Sequence, residues 1–416
     1  MESARAYRFR IHPDAKRREE IDRRLILAQR LYNKILEKSR GEYGKNRNSK
    51  INRSTLNGFM REAINENKYF LLLYSQTRQD VFIRLQKAFQ NFFRRINAKK
   101  NGKRTRAGFP RFKSKDTYAS LAYPQDNGSF QIERIKGFSR LRVARIGTMK
   151  IDMHRTMEGK VKTMAIKREA GRYYAIFTAM KESAASSVEN TRPVGIDVGL
   201  NSFIAMSDGK RAEKPKFMQE RRKTLARWQR IISRRKKGSR RRETAKLKLQ
   251  REWERVNNRS NDYLHKLSDM LVNSGYTSFA VENLHIQNMM KNHRLAGSIQ
   301  NASWSRFVQM LSYKAESAGM KVIKVDPRNT SKTCSGCGNI QNTPLSMREY
   351  DCGRCGLRLD RDMNASINIL HRATTAGHAG SHARGDTTST AQRGPQVESP
   401  NREHTPEIIS GGSPRL

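Results

Sequence analysis

Residues 352–370 read CGRCGLRLDRDMNASINIL. A cysteine pair at metal-binding spacing gives way within a few residues to Asp360 and Asp362, which lead into an apolar stretch punctuated by asparagines. The pair has a counterpart upstream: Cys334-x-x-Cys337-Gly precedes Cys352-x-x-Cys355-Gly, with fourteen residues between them. Two such knuckles suit one tetrahedral Zn2+, each giving two thiolates from a tight turn whose glycine lets backbone amides face the sulfurs. Disulfides are the competing reading, but they need an oxidising compartment that no signal pattern here indicates. Four thiolates close the coordination sphere, so a metal held this way is structural, and chemistry has to be sought elsewhere.

Outward from this junction, three acidic residues interrupt or end apolar segments: Asp197 in VGIDVGL, Glu282 in FAVENL and Asp362 in LDRDMNASINI. A carboxylate in a buried strand costs several kcal/mol, roughly, unless something pairs with it. Taken singly, each has an ordinary reading as a satisfied turn or strand-end residue. Together, a strand-borne Asp before a Gly-assisted bend, a second strand-borne acid after a helical crossover and a third at a helix start would converge at one sheet edge. Such an oxygen-only set can hold Mg2+ or Mn2+ for phosphodiester hydrolysis. Asp326 also ends a strand, but the following Pro327 suits a turn. His265, His285 and His293 are scattered, with no second ligand at metal spacing.

Composition names the partner class. Among 416 residues, 84 Lys and Arg stand against 38 Asp and Glu, a net charge of +46. That excess goes far beyond the needs of solubility and implies a polyanion. Membrane surfaces are anionic too, yet there is no apolar run of about 18 residues. Nucleic acid and the cytoplasm are therefore expected. A protein that merely coats RNA or DNA would share this composition.

The chain before the acids is organised around a strand, a helical block and a β-rich segment. ARAYRFRIHP alternates Tyr7, Phe9 and Ile11 with arginines, a half-buried strand ending at Pro13. RREEIDRRLILAQRLYNKILEKS sets Ile21, Leu25, Ala28, Leu31 and Ile35 on one helical face. Residues 97–117 form a cationic loop whose Lys103, Arg104, Arg106, Arg111 and Lys113 are expected to meet phosphate. From about residue 118 to 181 four β-like runs, SFQIERI, RLRVARIG, KVKTMAIKRE and RYYAIFTAMK, predict a small barrel or sandwich that pairs with the N-terminal strand. ESAASSVENTRP marks a boundary.

Beyond that boundary strands and helices alternate, as in an α/β domain. Two basic helices joined by RRKKGSRRR carry Arg234, Arg235, Lys236 and Lys237 at the join, further candidate nucleic-acid contacts. Residues 376–416 have the composition of a disordered tail.

YRFRIHP, RLYNKIL, FPRFKSK, GIDVGLNSF, SRRKKGS, LHKLSDMLV, TSKTCSGCG, CGRCG and DRDMNASINIL, in this order, resemble the TnpB family, transposon-encoded RNA-guided nucleases related to type V CRISPR effectors. The resemblance implies a multidomain α/β and β architecture. Its parts are a β-barrel wedge domain (1–15 and 112–190), a helical recognition insertion (16–111), a RuvC-like nuclease domain of RNase H fold (191–332 and 357–375) and an inserted zinc ribbon (333–356).

Family catalytic positions map onto Asp197, Glu282 and Asp362, which would hold Mg2+ or Mn2+, with Cys334, Cys337, Cys352 and Cys355 on Zn2+. The third acid is the one just before x-N-A, which leaves Asp360 as its neighbour. Gln79 resembles a residue that reads the motif beside the target, since Gln can bond bidentately to adenine. Asn329 stands where the family commonly has an aromatic. Implied partners are a guide RNA from the transposon end and target double-stranded DNA. Base pairing would supply sequence specificity, and the protein a basic channel. Two other functions stay open at this stage: an RNA-guided repressor that binds without cutting, and a guide-independent transposase.

Overall fold

A computed structural model describes residues 2–45, 51–102, 104–135, 137–182, 192–199, 202–213, 215–284, 289, 303–342, 344 and 347–379. Lys103, His285, His293, the 183–191 part of the boundary segment and residues 380–416 of the tail lie outside them. Among the described residues the chain divides into two compact units, residues 2–182 and residues 192–379.

The N-terminal unit has seven strands: β1 (Glu2–His12), β2 (Ser120–Tyr123), β3 (Phe130–Ile135), β4 (Phe138–Val143), β5 (Gly147–Asp152), β6 (Lys160–Glu169) and β7 (Arg172–Glu182). They form one sheet in the order β2-β6-β7-β1-β5-β4-β3, with antiparallel neighbours throughout. The N-terminal strand is therefore central, with its alternating Tyr7, Phe9 and Ile11 buried.

In a flat sheet β3 and β7, four steps apart, would be separated by about 19 Å. The rings of Phe130 and Phe177 are instead 5.9 Å apart, and the Tyr123 hydroxyl of β2 comes within 3.5 Å of the Ala144 carbonyl beyond β4. The sheet curls on itself through side chains, without a hydrogen-bonded ladder between β2 and β3. Two strands escape the sequence reading. SLAY is too short to show a period, and RLRVARIG is cut by a turn in which Arg145 (φ 65°) and Gly147 (φ 106°), the first residue of β5, adopt positive-φ backbone.

Between β1 and β2 come α1 (Ala15–Lys45), α2 (Arg53–Glu66), a 3-10 turn at Lys68–Leu72 and α3 (Ser75–Lys100). Ile21, Leu25, Ala28, Leu31 and Ile35 of α1 are buried, as their spacing predicts. Arg168 of β6 and Tyr173 of β7 both bond Asp22, tying α1 to the sheet. The cationic loop is anchored by Phe109, whose ring lies 5.1–5.6 Å from Tyr43, Phe89 and Phe92.

In the C-terminal unit β8 (Pro193–Val198), β9 (Ser202–Met206), β10 (Arg211–Glu213), β11 (Ser278–Glu282) and β12 (Lys321–Val325) form a sheet of order β10-β9-β8-β11-β12. The first three strands run antiparallel, and β11 and β12 run parallel to β8. Helices α4 (Phe217–Arg234) and α5 (Arg240–Val272) join β10 to β11. Helix α6 (Trp304–Ser317) precedes β12, and α7 (Arg361–Ala379) follows a two-stranded ribbon of β13 (Glu349–Asp351) and β14 (Arg358–Asp360). Among the described residues no helix is long and apolar enough to cross a membrane.

Both faces of the parallel strands are covered, as parallel sheets require. Val194, Ile196, Phe279 and Val281 pack with Leu264, Leu267, Phe307 and Leu311 of α5 and α6 on one face. Ala280 and Val325 meet Ile369 and Ala373 of α7 on the other. The closest approach is at Gly195, where an added Cβ would lie 2.0 Å from the Ser366 carbonyl oxygen and 2.9 Å from the Leu370 nitrogen. Backbone on both sides cannot yield. Gly195→Ala should therefore lose about 3 kcal/mol, the upper part of the overpacking range. Thermal melts should show the C-terminal unit unfolding about 6–12 °C lower, and an unchanged midpoint would mean that α7 does not pack this closely.

Candidate active site and cysteine cluster

Strand alternation sets the acids. With Val194 and Ile196 directed at α5 and α6, Gly195 and Asp197 face α7; likewise Ala280 and Glu282 face α7 while Phe279 and Val281 face away. The parallel register pairs Ala280 with Gly195 and Val281 with Ile196, so the next step along both strands brings Glu282 beside Asp197. Asp362 arrives from the first turn of α7. Its Oδ2 lies 3.7 Å from where a Cβ on Gly199 would sit, just past the end of β8.

Burial pushes the Asp197 carboxyl well above the usual range, and the charges of Glu282 and Asp362 push it further. Burial also raises Glu282, against the hydroxyl of Thr330, which donates to its Oε1, and the charge of Arg372. Asp362 is raised by burial and then by Asp360, with Arg348, Arg211 and Arg361 opposing. Burial raises all three carboxyls, and Asp197 also feels the charges of the other two, which fits a divalent cation bound through oxygen. They are not packed around a single point. Among the described residues, the cysteines form the one group of three or more His, Cys, Asp or Glu whose ligand atoms all lie within 4.8 Å of one another.

Asp360 has a separate task. Its Oδ1 accepts from the amides of Asp362 (2.9 Å) and Met363 (3.1 Å), capping α7, and it pairs with Arg211 at 2.9 Å. Asp326 makes a turn by accepting from the Arg328 amide at 3.1 Å. Asn329 has φ 57°, a left-handed conformation that asparagine tolerates better than most residues, and its carbonyl accepts from Lys332 and Thr333.

The cysteine sulfurs form the tightest cluster. Cys334 and Cys355 are 3.6 Å apart, as are Cys337 and Cys352. A disulfide would bring sulfurs to about 2.05 Å, whereas ligands about 2.3 Å from a tetrahedral zinc stand about 3.8 Å from one another. The amides of Cys355 and Arg354 pull the Cys352 thiol down to about 6. Buried Tyr350 packs with Cys334 and Cys352 and donates to the Lys332 carbonyl at 3.1 Å.

The asparagines of the opening stretch lock this cluster to the helix. Asn364 donates to the Thr333 carbonyl (2.8 Å) and accepts from the Ser335 amide (2.9 Å). Asn368, one turn on, donates to the carbonyls of Thr330 (2.9 Å) and Thr333 (2.7 Å). These partners, and Thr330 above all, were missed in the sequence. The i, i+4 spacing of Asn364 and Asn368 in an apolar helix was the available signal.

The basic candidates fall in three places. Arg104, Arg106 and Arg111 are exposed on the N-terminal loop, while the backbone of Lys113 is held by Asn33 and Gln29. Arg234, Lys236 and Lys237 are exposed at the α4–α5 join, where Arg235 bonds the Arg241 carbonyl. Gln79 is exposed on α3. Gln76, one turn earlier, is buried and bonds Asn127 and the Gln125 amide at 2.5 and 3.1 Å, a polar pair that its helical spacing did not reveal.

Comparison with known proteins agrees with this layout. A family model described as "Cas12f1-like, TNB domain" matches residues 304–369, and one described as "Probable transposase" (OrfB_IS605) matches 176–293. A Streptomyces pristinaespiralis protein named RNA-guided DNA endonuclease is 30% identical over 99% of this chain and 98% of its own length. Escherichia coli K12 InsQ, with the same description, is 28% identical over 91% of this chain and 94% of its own. In fold, the chain matches the protein in the cryo-EM structure of a Cas12f1-sgRNA-target DNA complex with a TM-score of 0.60 at 14% identity, covering 89% of this chain and 99% of that one. A match of 30% identity over nearly the full length of both chains, with the two family models, shows that the chain belongs to the TnpB family of RNA-guided DNA endonucleases.

Proposed function

We propose that this chain is a divalent-metal-dependent, RNA-guided endonuclease that cuts double-stranded DNA beside a short adjacent motif. The observation that carries the reading is the placement of Asp197 and Glu282 on one face of the β8–β11 pair, with Asp362 at the start of α7 and all three carboxyls raised by burial.

The C-terminal sheet, antiparallel on one side of β8 and parallel on the other, supports a RuvC-like RNase H domain over residues 191–332 and 357–375. The cysteine cluster supports a structural zinc ribbon over 333–356. The curled sheet and α1 to α3 support a wedge domain (1–15 and 112–190) with a helical recognition insertion (16–111).

Asp197, Glu282 and Asp362 would hold Mg2+ or Mn2+. Carboxylates that are not all gathered within 4.8 Å of one another would suit more than one ion. When bound, such ions activate a water and offset charge on the leaving 3′ oxygen. The chain's own part is to present these carboxylates from rigid elements, with Asp360 capping α7 so that Asp362 starts at a fixed position. Exposed Arg104, Arg106, Arg111, Arg234, Lys236 and Lys237 would track the backbones of a guide RNA, transcribed from the transposon end, and its DNA target. Gln79 would face the adjacent motif.

Protein purified with its RNA and given a plasmid carrying the matched target should linearise it in Mg2+ and stop when the RNA is removed. Tight binding without cutting would indicate a repressor, and cutting at transposon ends without RNA a transposase. Within this assay Asp362→Ala should abolish cleavage, whereas Asp360→Ala, which loses a helix cap worth about 1 kcal/mol, should retain most of it. The reverse ranking would reassign the third acid.

A further inference from the structure

Glu282 ends β11 and is followed by Asn283, whose amide bonds the Val325 carbonyl at 2.8 Å. Its backbone is therefore fixed from the neighbouring strand, but the side chain needs a separate constraint. A Glu carboxylate at a strand end retains rotamer freedom, which a metal site has to remove.

The constraint comes from the segment between β12 and the first cysteine knuckle. Thr330 is 4% exposed, and its hydroxyl donates to Glu282 Oε1, with the Pro327 carbonyl 3.3 Å away as a second acceptor. Thr330 is itself held. Asn368 of α7, 6% exposed, donates to the Thr330 and Thr333 carbonyls, and Asn364, fully buried, also donates to the carbonyl of Thr333, the residue just before Cys334. A continuous set of hydrogen bonds thus runs from Glu282 through Thr330 and Asn368 to the cysteine knuckle.

We propose that Thr330 is a positioning residue that fixes the Glu282 carboxylate for metal binding, with α7 and the cysteine ribbon as its support. Donation to Oε1 holds the carboxylate plane and leaves Oε2 for a cation. The inference rests on the assignment of Glu282 proposed above and assigns a task to a residue outside the acidic set. It also gives the buried asparagines a reason to face the ribbon: with Arg372, which bonds the Asp326 and Arg328 carbonyls, they tie the Thr330 segment to α7.

The test uses the full-length chain with Thr330→Val, which keeps the shape and the backbone carbonyl that Asn368 bonds, and Thr330→Ser, which keeps the hydroxyl. Mn2+ binding is read by electron paramagnetic resonance without nucleic acid, alongside zinc content and guided cleavage. Thr330→Val should keep its zinc and bind Mn2+ about 10- to 100-fold more weakly, the usual effect of losing a group that orients a ligand. Thr330→Ser should return to within about threefold of the parent, and cleavage in limiting metal should follow the same order. Equal Mn2+ affinity in Thr330→Val and the parent, or a Thr330→Ser as weak as Thr330→Val, would overturn the proposal. So would zinc loss in Thr330→Val, which would make the residue a strut of the ribbon. Failure of the parent protein to cut guided targets would sink the functional reading, while the Mn2+ comparison would still decide the role of Thr330.

Discussion

Asp197→Asn should abolish guided cleavage while raising the thermal stability of the divalent-free protein at neutral pH. The two effects share a cause. Asp197 is half-buried on β8 on the face turned to α7, and burial, followed by the charges of Glu282 and Asp362, raises its carboxyl well above an unfolded aspartate. A carboxyl raised on folding contributes stability fully below its unfolded value, near 4. That contribution is lost as pH climbs through the folded value, because the folded state must then carry a charge that burial penalises. At pH 7 without cation the charge is a net cost, and the neutral amide of asparagine removes it.

In divalent cation the order should reverse, since the parent gains binding energy that the variant cannot. Cleavage should fall by about a thousandfold or more, the scale of several kcal/mol of lost charge stabilisation in the transition state. Melting curves at pH 5 and pH 8, with and without MgCl2, give the signs. Cleavage within tenfold of the parent, or a lower melting temperature without MgCl2 at pH 8, would dismiss the site.

The second large effect concerns the cysteines. Replacing Cys337 and Cys352 together by alanine removes two sulfurs that stand 3.6 Å apart and should take zinc from one per chain to nearly none by elemental analysis. Structural Zn2+ in small domains contributes on the order of 10 kcal/mol, far more than the small core of Tyr350 and Leu357 can replace. The ribbon should become protease-sensitive between residues 333 and 356. Because Ser335 and the Thr333 carbonyl hold Asn364, the loss should reach the first turn of α7 and lower cleavage without touching a carboxylate. Full zinc content in the double variant would refute a four-cysteine site.

Much of this was legible because it is local. Two CxxC knuckles announce a cluster whatever surrounds them, and period-two alternation in VGIDVG and SFAVE already puts each acid on the face opposite the large apolar side chains. The 3.6-residue period of α1 likewise gave its buried face. Asp360 and Asp362 were told apart by the pattern of the resembling family, and the structure gives Asp360 its own task, its carboxylate turned back onto the first amides of α7. Strands β2 and β5 were hidden by shortness and by a left-handed turn, features that leave little periodic trace.

The sequence by itself determined which residues could do chemistry: four thiols at metal spacing, acids in apolar strands and a charge of +46 that calls for a polyanion. Only the tertiary structure decided which of them meet. The parallel register of β8 and β11 brings Asp197 beside Glu282 across 85 positions of chain, Gly195 lets α7 close onto the sheet, and Thr330 reaches back across 48 positions to the Glu282 carboxylate. Periodicity specifies which face a side chain presents. Partners so distant in sequence are chosen by strand register and packing, which depend on every element at once.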